Sequence, residues 1–457
     1  MHIHVLGIGG TFMSALALLA REAGFYVTGS DTNCYPPMSD LLLRQGIEWV
    51  EGYEACTHAR EASLVIVGNA MKRGMPVIEA MLDARTPYTS GPQWLAEQIL
   101  SRYRVLAVAG THGKTTTTSM LAYILHEAGL QPGFLIGGIA TDFGTNACLG
   151  QGAWFVIEAD EYDSAFFDKR PKFMHYRPDL AVLTNLEFDH ADIYADLAAI
   201  QQQFHYFLKT IPPSGLVLHP RDDVALQAVL ARGQFSRVQT LALSGEASWQ
   251  AELLDEAGRA FVVFYEGQAV AEIHWSLIGR FNVENGLAAL AASVYAGVEP
   301  VCAARALATF SQVKRRLEVK SDAHGVTVYD DFAHHPTAIE KTIQALRQSG
   351  RHQRIFAVTE FASYTMRMGV HGARVAHALA GADATYLLSP TAFSLHDQFS
   401  TSKSMPRVFS STEDIVQAVE AIVQPGDAVV VMSNRGFEGI HQRLIASIDR
   451  KFNCLRT

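Results

Sequence analysis

Val105-Leu-Ala-Val-Ala-Gly110-Thr-His-Gly113-Lys114-Thr115-Thr116-Thr-Thr-Ser-Met120 decides the fold. Its apolar run reads as a buried strand. The strand breaks at Gly110, and Lys114 opens a helix that continues through Leu121, Ile124 and Leu125. Strand, glycine turn, then a lysine and hydroxyls at a helix start make a phosphate cradle. The glycines let backbone N–H groups close on phosphate oxygens. The helix N-terminus adds a favourable field for anions. In such a loop Lys114 reaches the β/γ-phosphates and the Thr115 hydroxyl holds Mg²⁺. The spacing departs from the common G-x-x-x-x-G-K-[ST], because Val108 stands where the first glycine belongs.

Upstream, His2-Ile-His-Val-Leu-Gly7-Ile-Gly9-Gly10 reads as a first strand and a glycine turn, followed by a helix through Ala23. A second strand runs to Gly29 and ends at Ser30-Asp31. This is the start of a Rossmann-type unit, with an acid beyond the second strand where a ribose often sits. Phe12 occupies the third glycine position of G-x-G-x-x-G, which favours another nucleotide diphosphate over a nicotinamide cofactor. A third strand at Leu64–Gly68 runs into Asn69-Ala70. A Pro/Gly/Ser-bearing stretch at 85–92 and a short helix through Leu100 place a domain boundary near 100–104.

Downstream, Ala153-Trp-Phe-Val-Ile-Glu158 is a strand ending on a carboxylate, with Asp160, Glu161 and Asp163 close behind. Four such acids repel each other unless cations are present. Glu158, at the strand end, is the natural Mg²⁺ ligand. Another strand, Leu180-Ala-Val-Leu, runs into Thr184-Asn185 and on to His190. If the strands are parallel, the ends at Gly110, Glu158 and 185–190 line one crevice. Residues 210–278 look β-rich, with a hairpin around Glu266-Gly267. A long Ala-rich helix then runs to Tyr295, with Asn282 and Asn285 on one face. Lys314-Arg315-Arg316 marks a second boundary. The last portion is α/β again. Its first strand ends in Asp330-Asp331-Phe-Ala-His334-His335-Pro336, with Pro336 at a helix start. No other His/Cys pair has metal-ligand spacing, so zinc is not expected from this histidine pair.

The 457 residues fit two to four domains, and 49% are hydrophobic, enough for several cores. Net charge is −9 with no basic run, which excludes a nucleic-acid surface. Five scattered cysteines point to a reducing, cytoplasmic setting. The first twenty residues lack the cationic start of a signal peptide, and no stretch has the roughly 18 apolar residues a membrane helix needs.

Taken in order, these features resemble the Mur ligase family of peptidoglycan synthesis over essentially the whole chain. The motifs are Gly-Thr-His-Gly-Lys-Thr-Thr (110–116), Glu-Ala-Asp-Glu (158–161), Thr-Asn-x-Glu-x-Asp-His (184–190), Gly-Arg-x-Asn-x-x-Asn (279–285), Arg-Arg-x-Glu (315–318) and Asp-Asp-x-Ala-His-His-Pro (330–336). The resemblance implies an α/β chain of three domains: a Rossmann-like 1–102, a central P-loop ATPase-type 103–313 with an extra β-rich part, and a Rossmann-like 314–457. It implies joining of an amine to UDP-N-acetylmuramate, with ATP cleaved through an acyl phosphate. Within the family the chain looks like the recycling branch, whose amine is the murein tripeptide L-Ala-γ-D-Glu-meso-diaminopimelate. The first strand begins at residue 2 without a leader, and two stretches, 365–369 and 432–441, resemble that branch. Glu360-Phe-Ala-Ser, Arg435 and Glu438 depart from its pattern.

By motif, the resemblance assigns the phosphates to Gly110, Thr111, His112, Gly113, Lys114, Thr115 and Thr116. One Mg²⁺ goes to Thr115 and Glu158, and a second to His190. Asn282 and Asn285 contact adenine, Arg316 the γ-phosphate, and Asp330 the ATP ribose. Gly7, Gly9, Gly10, Ser30, Asp31 and Asn69 hold the uridine nucleotide, and Arg367, Ser433 and Asn434 the peptide. Some relatives use a carbamoylated lysine after the His190 position. No lysine lies between His190 and Lys209 here, so none is expected. The alternatives are the alanine ligase of the same family, a catalytically silent nucleotide-binding regulator, and a nicotinamide oxidoreductase. A monomer or weak homo-oligomer is expected.

Overall fold

The computed structural model describes residues 1–54, 57–360, 372–389 and 406–454. The first sheet contains β1 (His2–Leu6), β2 (Tyr26–Asp31), β3 (Glu48–Glu51), β4 (Leu64–Val67) and β5 (Tyr88–Ser90). Their order is β3-β2-β1-β4-β5, and all pairs are parallel. The order reverses beside β1, which leaves a crevice at its carboxyl end. The glycine turn there leads into the helix Thr11–Glu22. Phe12, in place of a third glycine, is accommodated by a glycine elsewhere: a Cβ on Gly91 would lie 2.9 Å from the Phe12 ring.

The second sheet has ten strands. In chain order its first part is β6 (Arg104–Ala109), β7 (Gly133–Ala140), β8 (Thr145–Cys148) and β9 (Trp154–Ala159). A separate hairpin, β10 (Asp163–Ala165) and β11 (Asp168–Pro171), follows. The sheet resumes with β12 (Leu180–Leu183), β13 (Leu216–Pro220), β14 (Arg237–Ala242), β15 (Trp249–Leu253), β16 (Ala260–Tyr265) and β17 (Gln268–His274). Its order is β17-β16-β15-β14-β13-β12-β6-β9-β7-β8.

Strand β6 lies between β12 and β9 and is parallel to both, so the three polar strand ends do share one edge. Successive residues of β6 serve opposite faces, as strand geometry requires. Val105, Ala107 and Ala109 pack with Ile157 and Leu183, whereas Leu106 and Val108 pack with Met120, Leu121 and Leu287. The second set belongs to the face covered by the helices Lys114–Glu127 and Arg280–Tyr295. Burial on both faces explains why β6 reads as a continuous apolar run. The expected hairpin forms at β16–β17, where Glu266 and Gly267 both take positive φ, 47° and 76°.

The third sheet contains β18 (Glu318–Ala323), β19 (Val326–Asp331), β20 (Arg354–Glu360), β21 (Ala384–Leu388), β22 (Arg407–Phe409) and β23 (Asp427–Met432). The order is β18-β19-β23-β20-β21-β22, parallel except at β18. The adjacent ends of β19 and β23 bring Asp331 beside Ser433, whose N–H donates to the Asp331 carbonyl at 3.0 Å. Among the described residues no helix is long and apolar enough to cross a membrane.

Candidate active site

A cavity of about 880 Å³ is lined by residues from all three sheets and their loops. The first contributes Gly7, Gly9, Gly10, Asp31 and Asn69. The second contributes Thr111 to Thr116, Glu158, Asp160, Asn185, His190 and Asn285. The third side contributes Arg316, Asp331, His334 and Asn434.

The phosphate loop is clamped from β12. Gly110 has φ 136°, and a side chain there would come within 2.2 Å of Thr184 Oγ1, so only glycine lets the two strand ends approach this closely. The His112 carbonyl accepts from Thr184 Oγ1 at 2.6 Å and from Asn185 Nδ2 at 3.0 Å, and the His112 N–H donates to Asn185 Oδ1 at 2.8 Å. Gly113, at φ 81°, caps the helix, and a Cβ there would sit 2.5 Å from Asn285 Oδ1.

The acids behind β9 find their cations within the chain. Lys114 Nζ lies 2.7 Å from Glu161 Oε2 and 3.7 Å from Asp160 Oδ1. Lys172 Nζ lies 3.1 Å from Asp160 Oδ2, and Lys169 Nζ lies 2.6 Å from Asp163. His190 Nε2 is 3.0 Å from Glu161 Oε1. Burial works against the Lys114 charge, but Glu161 and Asp160 outweigh it and raise the pKa. Burial likewise pushes the Asp160 carboxyl up, and Lys172 and Lys114 overcome this and hold it below the usual range. For His190, burial opposes the imidazolium, yet Glu161 wins and the pKa is raised.

Glu158 stands apart from that group. Its Oε1 accepts from Thr115 Oγ1 at 3.1 Å and its Oε2 from the Gly137 N–H at 2.7 Å. Arg316 Nη2 reaches Thr115 Oγ1 at 2.9 Å. Burial raises the Glu158 pKa despite Lys114 and Arg316. The hydroxyl and carboxylate oxygens of Thr115 and Glu158 converge on a point that already attracts a cation, and this donor set fits a hard divalent ion. In the first sheet Asp31 Oδ2 accepts from the Gly9 N–H at 2.8 Å, tying the acid to the glycine turn.

Among the described residues, five expected site residues do not line the cavity: Gly110, Ser30, Asn282, Asp330 and Ser433. Asn282 and Asn285 do not present a common amide face. Asn282 is buried and donates to the Ile278 carbonyl at 2.8 Å, whereas Asn285 accepts from Thr117 Oγ1 at 3.1 Å. Both amides thus brace the helix start and the phosphate loop. Ser30 Oγ is paired with His4 Nε2 at 2.9 Å, beneath the sheet edge. Asp330 lies 3.2 Å from His441 Nε2 and 3.5 Å from Arg315 Nε, and its neighbour Asp331 faces the cavity. Neighbouring strand residues point to opposite faces, and the sequence could not tell which acid faced in. Ser433 donates to Glu360, while Asn434 does line the cavity. Arg367 lies outside the described residues.

The sequence reading passed over Glu161 as a site residue and missed Lys172 altogether. Lys172 closes the cation-rich run Lys169-Arg170-Pro171-Lys172, yet it is 8% exposed and also faces the Phe12 ring at 5.2 Å.

Three family models match the chain in sequence. "Mur ligase family, catalytic domain" covers residues 2–103, "Mur ligase middle domain" 108–293, and "Mur ligase, glutamate ligase domain" 315–435. A curated relative from Escherichia coli (strain K12), UDP-N-acetylmuramate–L-alanyl-γ-D-glutamyl-meso-2,6-diaminoheptandioate ligase, is 49% identical over 99% of both chains. The chain belongs to the Mur ligase family. Among solved structures of this family, a murein peptide ligase from Psychrobacter arcticus 273-4 aligns at TM-score 0.76 and 45% identity, covering 98% of each chain. The UDP-N-acetylmuramate–alanine ligase from Thermotoga maritima aligns at TM-score 0.80 over 98% of this chain and 99% of its own, and at 22% identity it shows the shared Mur ligase fold.

Proposed function

We propose that this chain is an ATP-dependent ligase that joins the tripeptide L-Ala-γ-D-Glu-meso-diaminopimelate to UDP-N-acetylmuramate, recycling peptidoglycan fragments in the cytoplasm. The observation that carries the reading is the single cavity on which the glycine turn of the first sheet, the phosphate loop and Asn434 of the third side all open. Segment 1–102 binds the uridine nucleotide, 103–313 binds ATP, and 314–457 brings the peptide. The near full-length identity to the Escherichia coli relative supports the tripeptide as the amine, because that relative carries this activity in its name.

A carboxylate is a poor electrophile and has to be activated. In the proposed reaction the muramate carboxylate attacks the γ-phosphate of ATP, giving an acyl phosphate and ADP. The peptide amine then attacks the acyl carbon, and inorganic phosphate leaves. The protein's share is positioning and charge neutralisation. Backbone N–H groups of residues 110–116 cradle the phosphates. Lys114 leaves Glu161 for the β/γ-phosphates, and Arg316 swings from Thr115 onto the γ-phosphate. Mg²⁺ held by Thr115 and Glu158 would neutralise phosphate charge. His190, beside Glu161, is the candidate ligand for a second Mg²⁺ and has to give up its proton to serve. Asp31 and the glycine turn hold the uridine nucleotide. The peptide amine needs little help, because an α-amino group has a pKa near ~8 and a fraction is neutral at physiological pH.

The test is phosphate release with ATP, Mg²⁺ and UDP-N-acetylmuramate, comparing the tripeptide with L-alanine at equal concentration. Preference for the tripeptide is expected. Preference for L-alanine would assign the chain to the biosynthetic alanine ligases, and no turnover with either would favour a silent nucleotide-binding protein.

A further inference from the structure

The described residues hold two groups of side chains with the make-up of a metal site, and only one of them is the Lys114 neighbourhood. The other consists of His112, Glu187 and His335. His112 belongs to the phosphate loop and Glu187 to the segment after β12. His335 immediately precedes the helix Pro336–Gln348 beside the third sheet. His112 Nε2 lies 3.1 Å from His335 Nδ1, across 223 positions of sequence. Glu187 Oε1 is 3.8 Å from His112 Nε2, and Oε2 is 3.8 Å from His335 Nδ1.

Two imidazoles and one carboxylate are the donor set of three-ligand zinc sites, which leave a fourth position open. Imidazole selects first-row transition metals over Mg²⁺ or Ca²⁺. Ligand atoms about 2.0–2.1 Å from a tetrahedral ion are about 3.3 Å from each other. One ligand atom from each residue lies within 4.8 Å of the others, and the two 3.8 Å distances involve different oxygens, so the Glu187 carboxylate has to turn to bring one oxygen to both rings. The carboxylate is already oriented from behind, since Glu187 Oε2 accepts from Thr337 Oγ1 at 2.8 Å and from Arg374 Nη2 at 3.1 Å. Such outer contacts are what fix a ligand on a metal.

We infer that His112, Glu187 and His335 form a binding site for a divalent transition-metal ion of the Zn²⁺ class. The ion ties the phosphate loop to the third sheet. It is distinct from the Mg²⁺ that the ligase reading places at Thr115 and Glu158. Because it is read as binding, its test does not depend on the ligase assignment.

The experiment titrates Co²⁺, then Zn²⁺ in competition, into chelator-treated full-length protein and follows the visible absorption of four-coordinate Co²⁺. His335→Gln and Glu187→Gln should each weaken this site by a factor on the order of 100 or more. His190→Gln, which alters the other group, should leave it in place. Retention of the Co²⁺ spectrum in His335→Gln, or its loss in His190→Gln alone, would overturn the assignment. Anomalous scattering from wild-type crystals soaked in Zn²⁺ makes the test independent of variant folding. A peak bounded by His112, Glu187 and His335 is expected. Its absence means that the two histidines merely hydrogen bond, and the inference fails.

Discussion

Replacing Lys114 by alanine should damage the protein in two separable ways. At rest Nζ sits 2.7 Å from Glu161 Oε2, with the two side chains only 12% and 3% exposed. At an effective dielectric of about 20 the gross attraction is about 6 kcal/mol, most of it offset by desolvation. The measurable quantity is the cost of leaving one partner behind, typically about 3–5 kcal/mol for a buried pair. Lys114→Ala should lose about that much stability in urea unfolding, because among the described residues Glu161 then keeps only His190 as a close cationic partner. Loss of the phosphate contact should separately lower kcat by a hundredfold or more, about 3 kcal/mol of transition-state stabilisation. The double variant Lys114→Ala/Glu161→Gln divides the two effects. Removing the stranded carboxylate should restore most of the stability and none of the turnover. If Lys114→Ala turned over near normally in the phosphate-release assay, the phosphate-loop role would be refuted. If the double variant were no more stable than the single, the stranded-charge reasoning would be wrong.

Other consequences follow from single contacts. His190 has a raised pKa in the folded chain, so its pairing with Glu161 contributes fully below its ordinary 6.5 and fades as pH rises through the raised value. The stability gap between wild type and His190→Gln in urea should therefore be widest on the acidic side of 6.5 and narrow at alkaline pH, and a gap that widens with pH would contradict the pairing. Gly113→Ala puts a Cβ 2.5 Å from Asn285 Oδ1 at φ 81°, which should cost about 1–3 kcal/mol and weaken ATP binding, seen as a lower melting temperature and a higher KM for ATP. Gly91→Ala presses on Phe12 at 2.9 Å and should raise KM for UDP-N-acetylmuramate more than KM for ATP. Equal effects on both would show that the first sheet does not hold the uridine nucleotide.

Much of the site could be read from the chain because its logic is local. The apolar run before Gly110 specifies a strand buried on both faces, and Lys114-Thr115 behind Gly113 specifies a helix start that attracts phosphate. The polar ends after β6, β9 and β12 imply one crevice as soon as those strands are parallel, and they are. Asp330 and Asp331 show the limit of such reading, since which of two adjacent acids faces the cavity depends on strand register against β23. Asn282 and Asn285 show another, because an amide's partner depends on whether a carbonyl or a loop arrives beside it.

By itself the sequence determined the order of the elements, the phosphate loop and the family. Each of these rests on residue types at short spacing, where backbone geometry dictates what a pattern can become. Only the tertiary structure decided how the buried charges are matched. Lys172 neutralises Asp160 from beyond the β10–β11 hairpin, and Arg316 reaches Thr115 across 201 positions. His112 meets His335 across 223. Such pairings follow from packing three sheets around one cavity. Burial removes the water that would otherwise solvate each charge, so each has to find a partner wherever the fold brings one.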